Sequence, residues 1–196
     1  MLAWSIESAL KCGLRAIVST DSEEYAKIAR ECGAEVLMRP SELALDNTSM
    51  YQVLKSEVPK IDPLPEIVVL LQPTSPLRKT VHIKNAISYL IENRDQYDSL
   101  VAVERVPEKY NPAQVIIKTP LGHKMANGLP ISNRKTRRQE FPEAWIPTGE
   151  IYIFKTSNLE KGSLYGDKTM IYECEGSINI NTPEDWNLCE EELKKK

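Results

Sequence analysis

The sequence predicts an open α/β sheet with helices on both faces, and three observations carry that prediction. Short β-branched or apolar runs recur at Arg15–Ser19, Ala34–Met38, Glu66–Leu71 and Ser99–Val103. Segments with apolar residues at helical spacing separate them, the alternation expected of strands joined by right-handed crossovers. The stretch Ile67-Val-Val-Leu-Leu71 is apolar at every position, which suits a strand covered on both faces and placed near the middle of its sheet.

Each element has its own local reason. Trp4, Ile6, Ala9 and Leu10 mark a first helix over residues 4–12, and Gly13 is its C-terminal stop. The acidic group Asp21-Ser-Glu-Glu24 opens the next helix where the dipole favours negative charge. Tyr25, Ile28, Ala29 and Cys32 form its apolar stripe, and Gly33 ends it. Arg39-Pro40 closes the strand that follows. Residues 48–58 and 80–93 read as further helices, the second with Ile83, Ala86, Ile87, Leu90 and Ile91 on one side.

Residues 104–147 break this rhythm. They are rich in proline and contain the basic cluster Arg134-Lys135-x-Arg137-Arg138, and we read them as an insertion of hairpins and loops within a single domain spanning 1–196. Phe141, Trp145 and Ile146 have no regular element of their own in this reading, which marks the insertion as a contact between subunits. Strand character returns at 151–154 and 170–174. Pro183 suits the first position of a last helix, with Asn181 or Thr182 as cap and Glu184 and Asp185 in its first turn.

Composition narrows the class of function. The chain has 196 residues, 41% hydrophobic and 27% charged, enough for a packed core. A net charge of −3 gives no basic field to attract nucleic acid. No apolar run reaches the length of a membrane span, and the N-terminus lacks the pattern of a signal peptide. The four cysteines form no C-x-x-C pair and only two histidines accompany them, so a zinc site is not expected. Reduced thiols and a cytoplasmic location are the expectation.

Chemistry is expected beyond the carboxyl ends of the strands, where ligands of open α/β sheets bind. Leu71-Gln-Pro-Thr-Ser-Pro-Leu-Arg78 follows the most apolar strand there. Its prolines fix a turn that presents Gln72, Thr74, Ser75 and Arg78; Arg78 could serve either as a ligand or as a brace for the loop.

That string resembles the signature of the acylneuraminate cytidylyltransferases, which couple CTP to a nonulosonic acid. Other stretches agree in order: Ser19-Thr-Asp21, Arg39-Pro-x-Glu-Leu-Ala-x-Asp46, Arg138-Gln139 followed by Pro142, Gly149-x-Ile-Tyr-Ile153, and Thr182-Pro-Glu-Asp-Trp186. The resemblance covers essentially the whole chain. It implies a three-layer α/β/α, Rossmann-like nucleotidyltransferase with a mostly parallel sheet and a dimerisation insertion. It implies transfer of CMP from CTP to an acidic nine-carbon sugar, with release of pyrophosphate and Mg²⁺ as cofactor, in a homodimer. Ser19, Asp21, Arg39 and Ser75 would then face the nucleotide, and Gln72, Arg138 and Gln139 the sugar acid. For the other basic residues of 134–138 a solvated face is an equal reading. The related octulosonate (Kdo) cytidylyltransferases share the fold and rank second on substrate.

Two departures qualify the resemblance. The family opens with a strand and a Gly-rich basic loop around the CTP phosphates, whereas Met1-Leu-Ala-Trp-Ser-Ile-Glu7 aligns with the helix after that loop. An internal methionine taken as the start would account for this. A sheet without that central strand would leave ladder groups unpaired, at about 1–3 kcal/mol for each group left unsatisfied. The second departure is Asn179-Ile-Asn181, where the family carries Asp-Ile-Asp as its catalytic metal-binding pair. An asparagine keeps an oxygen donor but removes the charge that a hard cation prefers, so metal binding should be weakened. These losses set a second expectation beside the enzyme: a non-catalytic or impaired binding relative that acts as a partner.

Overall fold

The computed structural model describes residues 1–135, 137–176 and 178–195. Among these residues five helices, α1 (Leu2–Lys11), α2 (Glu23–Glu31), α3 (Met50–Glu57), α4 (Thr80–Glu92) and α5 (Pro183–Lys194), pack around eight strands. The strands are β1 (Ile17–Thr20), β2 (Glu35–Met38), β3 (Ile67–Leu70), β4 (Ser99–Arg105), β5 (Ile116–Thr119), β6 (Gly122–Met125), β7 (Trp145–Lys155) and β8 (Thr169–Glu173). Helix starts follow local chemistry. Ser49 and Gln52 form a reciprocal capping box on α3, and Thr182 and Asp185 form one on α5, with Pro183 in its first turn.

Two sheets carry the layers. One is the parallel pair β1–β2; the other runs β3-β7-β4-β8, with β7 antiparallel to β3 and β4, and β8 parallel to β4. Alternate residues of β3 show the sandwich. Ile67 and Val69 pack with Ile83, Ala86 and Leu90 of α4, while Val68 and Leu70 pack with Leu54, Val58 and Leu159 on the opposite face. The densest part of the core lies on β4 and β7, where Leu100, Ala102, Ile151 and Ile153 are at most 1% exposed.

Two expectations are corrected. Residues 66–71 do not lie at the middle of the sheet: β3 is the terminal strand of its four-stranded sheet, and all four of its residues are half-buried. Their apolar run reflects the two helical layers above and below, plus an apolar groove beside the free edge. The groove opens between β3 and β1, which do not pair. Trp145 and Ile146 do have an element of their own, because β7 begins at Trp145 and pairs Trp145 with Arg105 and Ile146 with Glu104. The Trp145 indole N–H also donates to Glu173 at 3.0 Å. Among the described residues, the rest of the 104–147 stretch holds the β5–β6 hairpin and single turns of 3-10 helix joined by irregular chain.

Candidate active site

The carboxyl ends of β1, β2 and β3 bring most of the expected residues into two neighbouring groups. Ser19 and Asp21 flank the end of β1. The backbone N–H of Arg39, just past β2, donates to the Thr20 carbonyl at 2.8 Å, which fixes the two strand ends side by side. The Arg39 guanidinium reaches the Asp21 carboxylate at 3.5 Å, a loose contact that leaves its Nε buried without a partner. The Ser19 hydroxyl is likewise buried and unpartnered.

The second group is the loop after β3. Arg78 is 5% exposed, and its guanidinium is fully engaged with the protein: Nε donates to the Glu150 carbonyl at 2.6 Å, Nη2 to the Gln72 carbonyl at 2.6 Å and Nη1 to the Ser5 hydroxyl at 3.3 Å. Burial pulls its pKa down to about 10, against the opposing pull of Glu150. Of the two roles open to Arg78, the geometry selects the brace. It joins the loop to α1 and β7, so Gln72 and Ser75 are held in place by a buried cation. Ser75 is fully buried, and its hydroxyl has no partner.

The Asn179–Asn181 segment docks on the same loop, where the Ile180 N–H donates to the Thr74 carbonyl at 2.8 Å. Gly149 explains the fit. Its φ is +78°, and a Cβ there would stand 2.5 Å from Asn179 Nδ2, so only glycine allows this approach. Asn179 Oδ1 is buried without a partner, whereas the exposed Asn181 turns its amide toward the Asn179 carbonyl at 3.4 Å. The Asp185 carboxylate is occupied by the α5 cap, accepting from the backbone N–H of Asn181 at 3.0 Å and of Thr182 at 2.9 Å.

A resident divalent cation does not fit this donor set well. Among the described residues no three of His, Cys, Asp and Glu converge on a metal-sized site. The positions expected to hold the metal, Asn179 and Asn181, offer only neutral amide oxygens and no negative charge, too little to hold Mg²⁺ by themselves.

Not every expected residue joins the site. Gln139 is exposed on a single 3-10 turn of the insertion, and among the described residues no hydrogen bond or ion pair joins it to the loop after β3. The Arg138 side chain lies outside the described residues. Sequence reasoning missed Ser5, which ties α1 to Arg78, and Glu57, a carboxylate only 3% exposed. Glu57 gives no sequence signal, since Lys55-Ser-Glu57 reads as the solvated end of an amphipathic helix. Ser5 could have been suspected from the small-residue gap it leaves on the apolar side of α1.

Comparison with known proteins bears on the fold and the family. A family model described as Cytidylyltransferase matches residues 1–169. An N-acylneuraminate cytidylyltransferase of Escherichia coli is 34% identical over 194 residues, covering 96% of this chain and 44% of that protein. One from Streptococcus agalactiae is 33% identical over 193 residues, covering 95% of this chain and 45% of that protein. The chain thus spans less than half the length of these relatives. A Campylobacter coli protein named post-translational flagellin modification protein B is 29% identical, and the match covers 85% of its length. In three dimensions the chain is similar to CMP:2-keto-3-deoxy-manno-octonic acid synthetase, solved with CTP, at a TM-score of 0.73 and 14% identity over 99% of this chain and 87% of that one. At that identity the likeness speaks for the fold alone, a three-layer α/β sandwich, and the match over residues 1–169 speaks for more: the chain belongs to the cytidylyltransferase family.

Proposed function

We propose that the chain transfers CMP from CTP to a nonulosonic acid of the sialic type, with release of pyrophosphate. One observation carries this reading: the side-chain atoms Ser19 Oγ, Arg39 Nε, Ser75 Oγ and Asn179 Oδ1 are buried without partners, the first three on residues expected to meet the nucleotide and the last on a residue expected to meet the metal. Buried polar groups are nearly always satisfied, so such a cluster at strand ends suits a polar ligand. Attack of a sugar hydroxyl on the α-phosphate concentrates negative charge there, and Arg39 is the cation proposed to meet it. Ser19 and Ser75 supply hydroxyl contacts, Asp21 orients Arg39, and Gln72 offers its amide to the sugar acid beside the braced loop. Arg138 and Gln139 are proposed to join the sugar-acid contacts from the insertion.

Mg²⁺ is proposed to travel with the triphosphate, where it would neutralise phosphate charge, with Asn179 as the chain's own weak donor. The asparagine pair also favours a second reading, an impaired relative that binds nucleotide and sugar but turns over slowly. Pyrophosphate release from CTP with N-acetylneuraminate, alongside calorimetric CTP binding, separates the two. We expect measurable binding with low turnover. The paired change Asn179→Asp and Asn181→Asp should strengthen Mg²⁺-dependent CTP binding by on the order of tenfold. Fast turnover by the unaltered chain would remove the impaired reading, and no CTP binding in any form would remove both.

The proposed assembly is a homodimer through the 104–147 insertion, in a cytoplasmic setting. Exposed Ile116, Leu121, Leu129 and Ile131 on that lobe support the contact. Light scattering of the chain with and without residues 106–144 tests it; equal monomeric masses would refute it.

A further inference from the structure

We propose that His82 is a positioning residue: with Tyr172 it clamps the end of β8 to the first turn of α4, and so sets where Asn179 stands in the site. Just past β8 the Cys174 N–H still donates to the Val103 carbonyl at 3.0 Å, and a few residues on Asn179 lies against Gly149. Two contacts meet the chain as it leaves the sheet. His82 Nδ1 and the Tyr172 hydroxyl share a hydrogen bond at 3.2 Å, with the rings edge to face and 6.0 Å between centroids. The Lys79 ammonium donates to the Glu175 carboxylate at 3.0 Å.

Both contacts come from one turn of one helix. Lys79 is the N-terminal cap position of α4, and His82 stands three residues on, on the same side of the helix. Beyond Asn179, the Ile180 N–H donates to the Thr74 carbonyl at 2.8 Å. Thr74, Lys79 and His82 belong to one stretch of chain, and buried Arg78 pins it to the Glu150 carbonyl and the Ser5 hydroxyl. A single braced stretch therefore holds the chain on both sides of Asn179.

Exposure ranks the contacts. The Lys79 and Glu175 side chains are 55% and 85% exposed, so their ion pair is screened and worth little. His82 and Tyr172 are half-buried, where a hydrogen bond competes less with water. The His82 ring also carries a cost, because its Nε2 is buried without a partner among the described residues. Phenylalanine or leucine would pack there without hiding a polar atom. What offsets the cost is Nδ1 and the hydroxyl it holds.

The clamp stands on these contacts, whereas its bearing on substrate rests on the CTP reading, so two readouts are needed. The first is amide exchange at Ile180, followed by NMR on the 196-residue chain, with the amides of β4 as the control for folding. His82→Phe keeps a ring against Tyr172 and should speed Ile180 exchange about tenfold, as should Tyr172→Phe, and the double variant should add nothing further. His82→Asn, whose amide can stand near the place of Nδ1, should bring exchange back to within about threefold. Lys79→Ala should change it less than about twofold. The second readout is calorimetric CTP binding, which should weaken about fivefold in His82→Phe and recover in His82→Asn.

Unchanged Ile180 exchange in a folded His82→Phe overturns the proposal, and Tyr172→Phe, which removes one oxygen, decides the matter if His82→Phe does not fold. Single effects that simply add in the double variant overturn it too. Faster Ile180 exchange with CTP binding unaltered would refute the positioning role. Absence of CTP binding in the unaltered chain counts against the CTP reading alone, and Ile180 exchange then decides the clamp.

Discussion

The molecule has two halves that differ in how they are held. The half built on β4, β7 and β8 has a continuous core in which Ile83, Leu90, Leu100, Ile151 and Ile153 are at most 1% exposed. The half built on β1 and β2 has a much smaller one, Ile6, Ala29 and Ala34, with strands that are only partly buried. Between them runs the groove, crossed by few direct links: Arg78 to Ser5, Ser5 to the Gln72 carbonyl, Cys12 to the Thr80 carbonyl, and Arg15 to the Asp62 carbonyl. The residues proposed to meet nucleotide and metal are divided by this seam. Ser19, Asp21 and Arg39 stand on the lightly packed half, Ser75 and the expected metal position Asn179 on the dense one. Site geometry therefore depends on how the halves are held together as well as on which side chains are present.

The largest effect should separate the two cores. Ile153→Ala removes a side chain 1% exposed in the dense half and should cost about 2–5 kcal/mol by urea unfolding. Val18→Ala, on a half-buried strand beside the groove, should cost about 1 kcal/mol or less, because little packing is lost there. Native-state exchange should likewise be faster in β1 and β2 than in β4 and β7. Equal costs and equal exchange would mean the halves form one core after all.

The brace between them comes next. Arg78→Met keeps bulk but leaves the Glu150 and Gln72 carbonyls without their buried donor, and should cost about 3 kcal/mol. The loop after β3 should then lose order, so weakened CTP binding should accompany lower stability. Arg78→Lys can fill only part of the guanidinium's fork and should recover part of the loss. A variant that keeps full stability would return Arg78 to the ligand role.

What could be read in advance follows the same division. Helix identities and the start of α5 were legible because local chemistry decides them: a proline at a first position, acidic residues in first turns, apolar stripes at helical spacing. The cap itself, left between Asn181 and Thr182, falls on Thr182. The strand-end residues Ser19, Asp21, Arg39 and Ser75 were legible through motif strings. The position of β3 was not. An all-apolar run reports two covered faces and says nothing about whether both edges are paired. The choice between the two roles of Arg78 was also hidden, since its partners are a serine and two carbonyls, Ser5 and Glu150 lying far away in sequence. Buried Glu57 shows the limit in its sharpest form, because burial of a charge at a helix end is decided by what packs over it.

A smaller effect is expected at the α5 cap. Thr182→Ala removes the hydroxyl that accepts from the Asp185 N–H and should cost about 1 kcal/mol, read as a shift in the urea midpoint. Because α5 starts beside Asn181, the same change should loosen the segment docked on Thr74. A stability loss with unaltered CTP binding would show that segment to be held by Gly149 and the loop alone.

The smallest effect is a pH dependence that differs between the halves. Backbone N–H bonds, first from Asn181 and then from Thr182, hold the Asp185 carboxyl below the usual carboxylate range. On the other half Glu35 is also held low, but by the exposed guanidinium of Arg15, which it meets at 2.5 and 2.7 Å. In both cases the charged form is favoured by the fold. The stabilisation is therefore fully present above the ordinary carboxylate pKa near 4 and is lost as pH falls through the lower folded value. Urea midpoints between pH 7 and pH 2 should accordingly converge for the native chain and Asp185→Asn at the acid end, having differed at neutral pH. The same should hold for Glu35→Gln. Salt distinguishes them: at 1 M the Debye length shrinks to about 3 Å, so the exposed Arg15–Glu35 contribution should fade. Asp185, bonded directly to backbone N–H groups, should keep most of its effect. If salt erases both alike, the Asp185 contribution comes from long-range charge and the capping geometry is not its source.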